Sequence, residues 1–150
     1  MFSRTAEYAL RAVVWLADRT DSSPLGVQPI AAGTQVPQSY LAKVLQELSQ
    51  AGLVSSRRGV GGGYFLTRLP AEITVLDVIN AVDPLQRITG CPLGLKSHRH
   101  AMCAMHARLD KAAALVEETL RASTIEELLR TPERPQPMKE SVSTLSRPSR

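Results

Sequence analysis

Residues 37–67 read PQSYLAKVLQELSQAGLVSSRRGVGGGYFLT, and this stretch decides the fold. Pro37 opens a helix, because its fixed backbone angle suits a first turn and its missing N–H would be unpaired there anyway. Leu41, Val44, Leu45 and Leu48 then fall at i, i+3, i+4 and i+7, a single apolar stripe. Ala51-Gly52 ends the helix, since glycine accepts the left-handed cap. Leu53 to Arg58 reads as a strand and Tyr64 to Thr67 as its return, with Gly59-Val60-Gly61-Gly62-Gly63 as the tip of a hairpin.

Upstream, Pro29 stands in the first turn of a short helix that ends near Gly33, and Gln35-Val36 joins it to the helix opened by Pro37. Two helices linked by a three- or four-residue turn make a helix-turn-helix. A hairpin directly after the second helix is a wing. Earlier still, Ser3 or Thr5 can cap a first helix running to about Asp18, with Ala6, Ala9, Leu10, Val13, Leu16 and Ala17 on one stripe. Asp21-Ser22-Ser23-Pro24 then breaks the chain.

Downstream, Thr74 and Asp77 form a capping pair for a helix carrying Val75, Ile79 and Val82, which ends before Asp83-Pro84. A loop with Gly90, Pro92 and Gly94 leads to a longer helix of about Met105 to Ala122. Its stripe of Met105, Leu109, Ala112, Val116 and Leu120 exceeds what one small domain needs to cover, so it reads as a dimerisation helix. Ser123 and Glu126 read as a further capping box, for a short helix ending at Arg130. From Thr131, four prolines among Ser, Arg and Glu predict a disordered tail. The expected fold is therefore mainly α with a small β wing: a winged helix-turn-helix plus a long C-terminal dimerisation helix. Its parts are a DNA-binding domain (1–82), a Cys/His-containing loop (83–104), the dimerisation helix with the short terminal helix (105–130), and the tail (131–150).

Composition narrows the function classes. The chain has 150 residues, 43% of them apolar, and a formal charge of +4, a balance that favours polyanionic partners. Aromatic residues make up 4%, too few for single-strand binding by stacking on exposed rings. The apolar run Ala9 to Ala17 is interrupted by Arg11 and falls far short of the roughly 20 residues a spanning helix needs. No secretory pattern opens the sequence, so a cytoplasmic protein with no membrane partner is expected. An enzyme is not: Gly59 to Gly63 lacks the Gly-Lys-Ser/Thr ending of a phosphate loop, and no Ser/His/Asp arrangement is apparent. A protein-interaction adaptor is the remaining rival, because winged helices also bind proteins.

Double-stranded operator DNA is the expected partner. The N-terminal end of the second helix of a helix-turn-helix enters the major groove. With the four-residue stripe inward, Gln38 and Ser39 can reach base edges or phosphates, Tyr40 the backbone, and Lys43 a phosphate. Arg57 and Arg58 on the wing can enter a minor groove or clamp phosphates. Gly61 and Gly62 leave the wing tip free of side chains that would block close approach.

The segments Ala6-Glu7-Tyr8-Ala9-Leu10-Arg11-Ala12, Tyr40-Leu41-Ala42-Lys43-Val44-Leu45, Ala51-Gly52-Leu53-Val54, Arg58-Gly59-Val60-Gly61-Gly62-Gly63-Tyr64 and Ile73-Thr74-Val75-Leu76-Asp77-Val78 occur in the order of a known family. Over roughly residues 1–130 the chain resembles the Rrf-type winged helix-turn-helix regulators of the IscR and NsrR kind. The resemblance implies a homodimer whose long C-terminal helices cross, each winged helix reading half of an imperfect palindrome.

Cys91, His98, His100, Cys103 and His106 lie in one short segment, and thiolates with imidazoles suit iron–sulfur clusters or zinc. Cluster-binding relatives of this type present three cysteines spaced C-x5-C-x5-C; Cys91 and Cys103 match the first and third, and Ser97 stands at the second. The resemblance further implies His106 as a histidine ligand and Glu7 as a carboxylate given by the partner's first helix. Three readings stay open. A cluster held by Cys91, Cys103 and one or two of His106 and Glu7 would sense redox state, nitric oxide or iron–sulfur supply. Zinc on the same groups would be structural, though Cys91 and His98 are spaced more widely than zinc pairs usually are. Without metal, the cysteines would be remnants or a thiol switch, leaving a cluster-free regulator with a thiol or small-molecule signal.

Overall fold

The computed structural model describes residues 2–19 and 21–139. Six α-helices and a two-stranded sheet follow in the order α1 (Arg4–Ala17), α2 (Val27–Thr34), α3 (Gln38–Gln50), β1 (Val54–Arg57), β2 (Gly63–Leu66), α4 (Val75–Val82), α5 (Ala104–Ala122) and α6 (Ile125–Arg130). Short 3-10 turns at Pro70–Glu72 and Lys96–His98 punctuate the loops. The fold is the expected one: mostly helical, with a small antiparallel wing following the second helix of a helix-turn-helix.

The core explains the order of elements. Ala6, Ala9, Ala12, Val13 and Leu16 of α1, Leu41, Val44, Leu45 and Leu48 of α3, and Val75, Val78 and Ile79 of α4 are buried together. Small residues on α1 let α3 and α4 approach closely. Ser3 rather than Thr5 caps α1, its hydroxyl accepting from the Ala6 N–H at 3.1 Å. Helix α2 begins at Val27, two residues before Pro29, and closes at Gln35 in the left-handed conformation (φ 55°). Buried Thr34 hands its hydroxyl proton to Ile30 O at 2.7 Å, so no polar group is stranded in that turn.

Two features were not legible in the sequence. Leu25 pairs with Tyr64 through reciprocal backbone bonds of 3.0 and 2.7 Å, adding a third segment to the wing beside β2. That approach requires glycine at position 63, where a Cβ would stand 2.2 Å from Leu25 backbone carbon. The second feature is the docking of α6. Its capping box uses Thr124 and Glu127, not Ser123 and Glu126. The reason is local: the Ser123 hydroxyl already bonds Thr119 O at the end of α5. Ile125 N–H bonds Ile73 O at 2.9 Å, and the Ile125 side chain is fully buried in the core of the winged helix.

Of the tail expected to be disordered, residues 131–139 are described and 140–150 lie outside the described residues. The described part runs in turns beside α1, where Lys139 Nζ meets Asp18 at 2.6 Å. Pro135, Pro137 and Met138 line a groove of about 320 Å³ with Leu10, Val14 and Leu128. Among the described residues, no helix is long and apolar enough to cross a membrane.

Candidate nucleic-acid interface

Gln38, Ser39 and Tyr40 form the first turn of α3, all exposed, while the buried stripe fixes the roll of the helix. Tyr40 does more than face solvent. Its ring meets Tyr8 of α1 edge-on, centroids 5.5 Å apart, and its hydroxyl lies 3.3 Å from Thr5 Oγ1. Arg11 stands 5.7 Å from the Tyr8 ring and donates to Thr34 O at the end of α2 at 3.4 Å. These contacts brace both helices of the helix-turn-helix against α1. Sequence reasoning missed Thr5, Tyr8 and Arg11; the Tyr8-x2-Arg11 spacing, one helical turn, was the available signal. Lys43 is exposed and loosely paired with Glu47 one turn on, at 3.8 Å.

Arg57 ends β1 and Arg58 begins the wing tip; both are exposed, and among the described residues neither enters an ion pair. Two adjacent uncompensated guanidinium groups are an electrostatic feature that a polyanion can neutralise. Gly61 lies in the left-handed region (φ +73°) with open space around it. Gly62 is glycine for an internal reason: a Cβ there would stand 2.2 Å from Arg57 O. Val60 projects fully into solvent at the tip.

The cysteine–histidine segment is arranged in pairs. Cys91 Sγ lies 3.3 Å from His98 Nδ1, and Cys103 Sγ lies 3.4 Å from His106 Nδ1. The backbone N–H of Leu95, then the His98 ring and the Leu93 N–H, hold the Cys91 thiol below its ordinary pKa against the opposing effect of burial. Glu7 is engaged elsewhere, by Arg11 at 2.5 Å on the outer face of α1. Within the chain, Cys91 thus stands with His98 and Cys103 with His106, in two separate places. Among the described residues, no three histidine, cysteine or acidic side chains share a metal-sized site. Within this one chain Cys91 and the Cys103–His106 pair are not gathered into a single site. The six-residue gap from Cys91 to His98 is also no obstacle to pairing, because the Lys96–His98 turn folds the loop back.

Helix α5 carries no buried residue along its nineteen positions. Met105, Leu109 and Leu115 are 60%, 54% and 57% exposed. Phe2 joins Leu115, Val116 and Leu120 around an apolar hollow.

A winged helix-turn-helix with an exposed reading turn and an arginine-bearing wing defines the class: a DNA-binding transcriptional regulator. The comparisons with known proteins sharpen it. The model of the Rrf2 family, described as an iron-dependent transcriptional regulator, matches residues 2–131, and the chain belongs to that family. An HTH-type transcriptional regulator of Aquifex aeolicus is 30% identical over 137 residues, spanning 89% of this chain and 94% of the relative. IscR of Xenorhabdus nematophila is 32% identical over 126 residues, 84% of this chain and 77% of the relative. The solved structure of CymR, the global cysteine regulator of B. subtilis, superposes with a TM-score of 0.70 at 28% identity, covering 85% of this chain and 95% of that one. The family and these relatives are transcription regulators, not enzymes.

Proposed function

We propose that the chain is a cytoplasmic, sequence-specific regulator that binds double-stranded operator DNA as a homodimer. In each copy Gln38 and Ser39 read base edges in the major groove, with Tyr40 and Lys43 on the adjoining backbone. Arg57 and Arg58 neutralise flanking phosphates, and Gly61 and Gly62 keep the wing tip narrow enough to approach the duplex. The observation that carries this reading is the pair of exposed wing arginines without ion partners beside a helix-turn-helix whose first reading turn is also exposed. The apolar face of α5 supports a dimer, because Met105, Leu109 and Leu115 are left more than half exposed by the rest of the described chain.

The division of labour follows: 1–82 reads DNA, the long helix α5 of 105–130 dimerises while the short terminal helix packs back on the DNA-reading part, and 83–104 receives the signal. A signal acts only if the two forms of the segment favour different spacings of the two reading heads, shifting the population that fits the operator. The test is selection of bound duplexes from a random pool, followed by affinity measurements across a salt series. A palindromic consensus bound with a steep negative salt slope is the expected result. Binding indifferent to both sequence and salt would overturn the reading.

A further inference from the structure

A cavity of about 350 Å³ lies at the root of the wing, a volume at the lower end of the range of small-molecule sites. Two segments enclose it: the end of α1 with the loop that follows, and the exit of β2 as far as Glu72. Leu16, Phe65, Leu66 and Pro70 form its apolar wall, buried or half-buried, while Ser22 and Arg68 at its edge are exposed. The cavity is remote from the reading turn. Thr5 at the other end of α1 touches Tyr40, and a rise of about 1.5 Å per residue puts Leu16 roughly 16 Å further along the helix.

Most polar groups around the cavity are already engaged within the chain. Arg19 donates to Ser23 O at 2.9 Å and to Ser23 Oγ at 3.2 Å, and pairs with Asp21 at 3.2 Å. Asp21 accepts from the Ser23 N–H at 2.5 Å, so the loop is held by a closed set of bonds. Glu72 accepts from the Leu69 N–H at 3.2 Å, and the Thr67 hydroxyl donates to Gly52 O at 2.5 Å. Two groups are left over. Among the described residues Arg68 enters no ion pair, and the loop bonds pass through Ser23 without using the Ser22 hydroxyl. The one uncompensated charge beside the apolar wall is therefore positive, and a guanidinium fork matches a carboxylate.

We propose that this cavity binds a small amphipathic monocarboxylate as an effector. Its carboxylate takes the Arg68 fork and accepts from the Ser22 hydroxyl, and its apolar body lies against Leu16, Phe65 and Pro70. Asp21 and Glu72 on the same cavity disfavour a second negative charge, which selects a monocarboxylate over a phosphate. The loop runs on to Leu25, whose backbone bonds Tyr64 in β2, next to Phe65. A ligand that draws the loop and the β2 exit together thus acts on both sides of the base of the wing. Bound and free forms differ in how the wing meets the duplex, a population shift that couples ligand to operator. That coupling rests on the DNA reading above; the binding itself does not, since it is measured without DNA.

The experiment uses the full chain and hydrocinnamate as the probe, with hydrocinnamyl alcohol as the uncharged molecule of the same body. Calorimetry is expected to show one hydrocinnamate per chain with a Kd of about 1 mM or tighter, as a ligand of this size permits. The alcohol on wild type and the acid on Arg68→Gln are each expected to bind at least about tenfold more weakly. Arg99→Gln, which removes an exposed arginine elsewhere, is expected to change nothing, with helical circular dichroism as the folding control. In NMR the acid is expected to shift the amides of Ser22, Ser23 and Phe65 to Arg68, and with them Leu25 and Tyr64. Absence of saturable binding would overturn the proposal, as would an alcohol bound as tightly as the acid or full affinity in Arg68→Gln. Shifts concentrated on the apolar face of α5 would overturn it too, and shifts that stop short of Leu25 and Tyr64 would remove the coupling to the wing. A chain that bound hydrocinnamate here but no operator would keep the cavity and lose only the DNA reading.

Discussion

Helices α1 and α5 carry the same kind of pattern and meet opposite fates. In α1, fourteen residues include six that are buried, packed against α2, α3, α4 and α6. In α5, nineteen residues include none. Every buried apolar residue of the described chain lies between Ala6 and Ile79 except Ile125, which α6 carries back to the same core. An apolar stripe says that a helix needs a partner, not where the partner is. For α1 the partner is in the chain; for α5 the proposed partner is a second copy.

The largest test of this contrast is to charge the unpartnered face. Leu115→Glu is expected to convert the dimer to a monomer in sedimentation while leaving helical circular dichroism intact. Losing the linkage of two reading heads is expected to weaken operator binding by roughly 10²–10⁴-fold, the gain that tethering two sites supplies. A monomeric wild type, or a Leu115→Glu variant that stays dimeric, would break the comparison.

Truncating the buried side is expected to act on stability instead. Ile125→Ala removes a fully buried side chain and is expected to cost about 2–5 kcal/mol in urea denaturation at fixed protein concentration. Leu109→Ala, at an exposed position on α5, is expected to leave monomer stability within about 0.5 kcal/mol of wild type. Equal losses at the two positions would mean that α5 is packed within its own chain after all.

The wing is the next step down. Arg58→Ala is expected to weaken operator affinity by roughly three- to tenfold at moderate salt and to lower the salt slope by about 1 per copy, with the fold unchanged. An unchanged slope would remove Arg58 from the phosphate contacts and leave the first turn of α3 to account for binding alone.

How much of this was legible from the sequence depended on the range of the interactions. The stripe Leu41, Val44, Leu45 and Leu48 and the capping pair Thr74–Asp77 are local, and the structure places them as read. The rung between Leu25 and Tyr64, the return of Ile125 to the α1 core, and the Tyr8–Tyr40 brace join residues far apart in the chain, where periodicity carries no information. Gly62 has a further reason that the sequence did not show. Besides the approach to DNA expected of it, a Cβ there would stand 2.2 Å from Arg57 O within the hairpin itself. At the cysteines, the contact between Cys91 and His98 was not foreseen, because a 3-10 turn in an apolar-poor loop leaves no pattern to read.

The smallest expected effect concerns the one charged link between the loop and α5. Arg87 Nε and Nη2 donate to the Asp110 carboxylate at 2.7 and 2.8 Å, Nη1 reaches Glu117 at 2.9 Å, and the Ile88 N–H adds a bond to Asp110 at 2.9 Å. Hydrogen bonds from Arg87 hold the carboxyls of Asp110 and Glu117 below their ordinary values of 3.8 and 4.5, Arg121 also lowering Glu117. A carboxylate depressed in the folded state contributes stability above its unfolded pKa and loses it as pH falls through the folded one. The link is therefore expected to be constant from neutral pH down to about 4.5, then to fail with further acidification. Both carboxyls are at the surface, so global unfolding is expected to move little. The sharper readout is local: carboxyl NMR titrations of Asp110 and Glu117, which Arg87→Ala should return toward ordinary values, together with faster hydrogen exchange at the Ile88 amide. If Arg87→Ala left both titrations where they were, the loop would be anchored to α5 by something other than this ion pair. The cysteine–histidine pairs would then be the next place to look for the attachment.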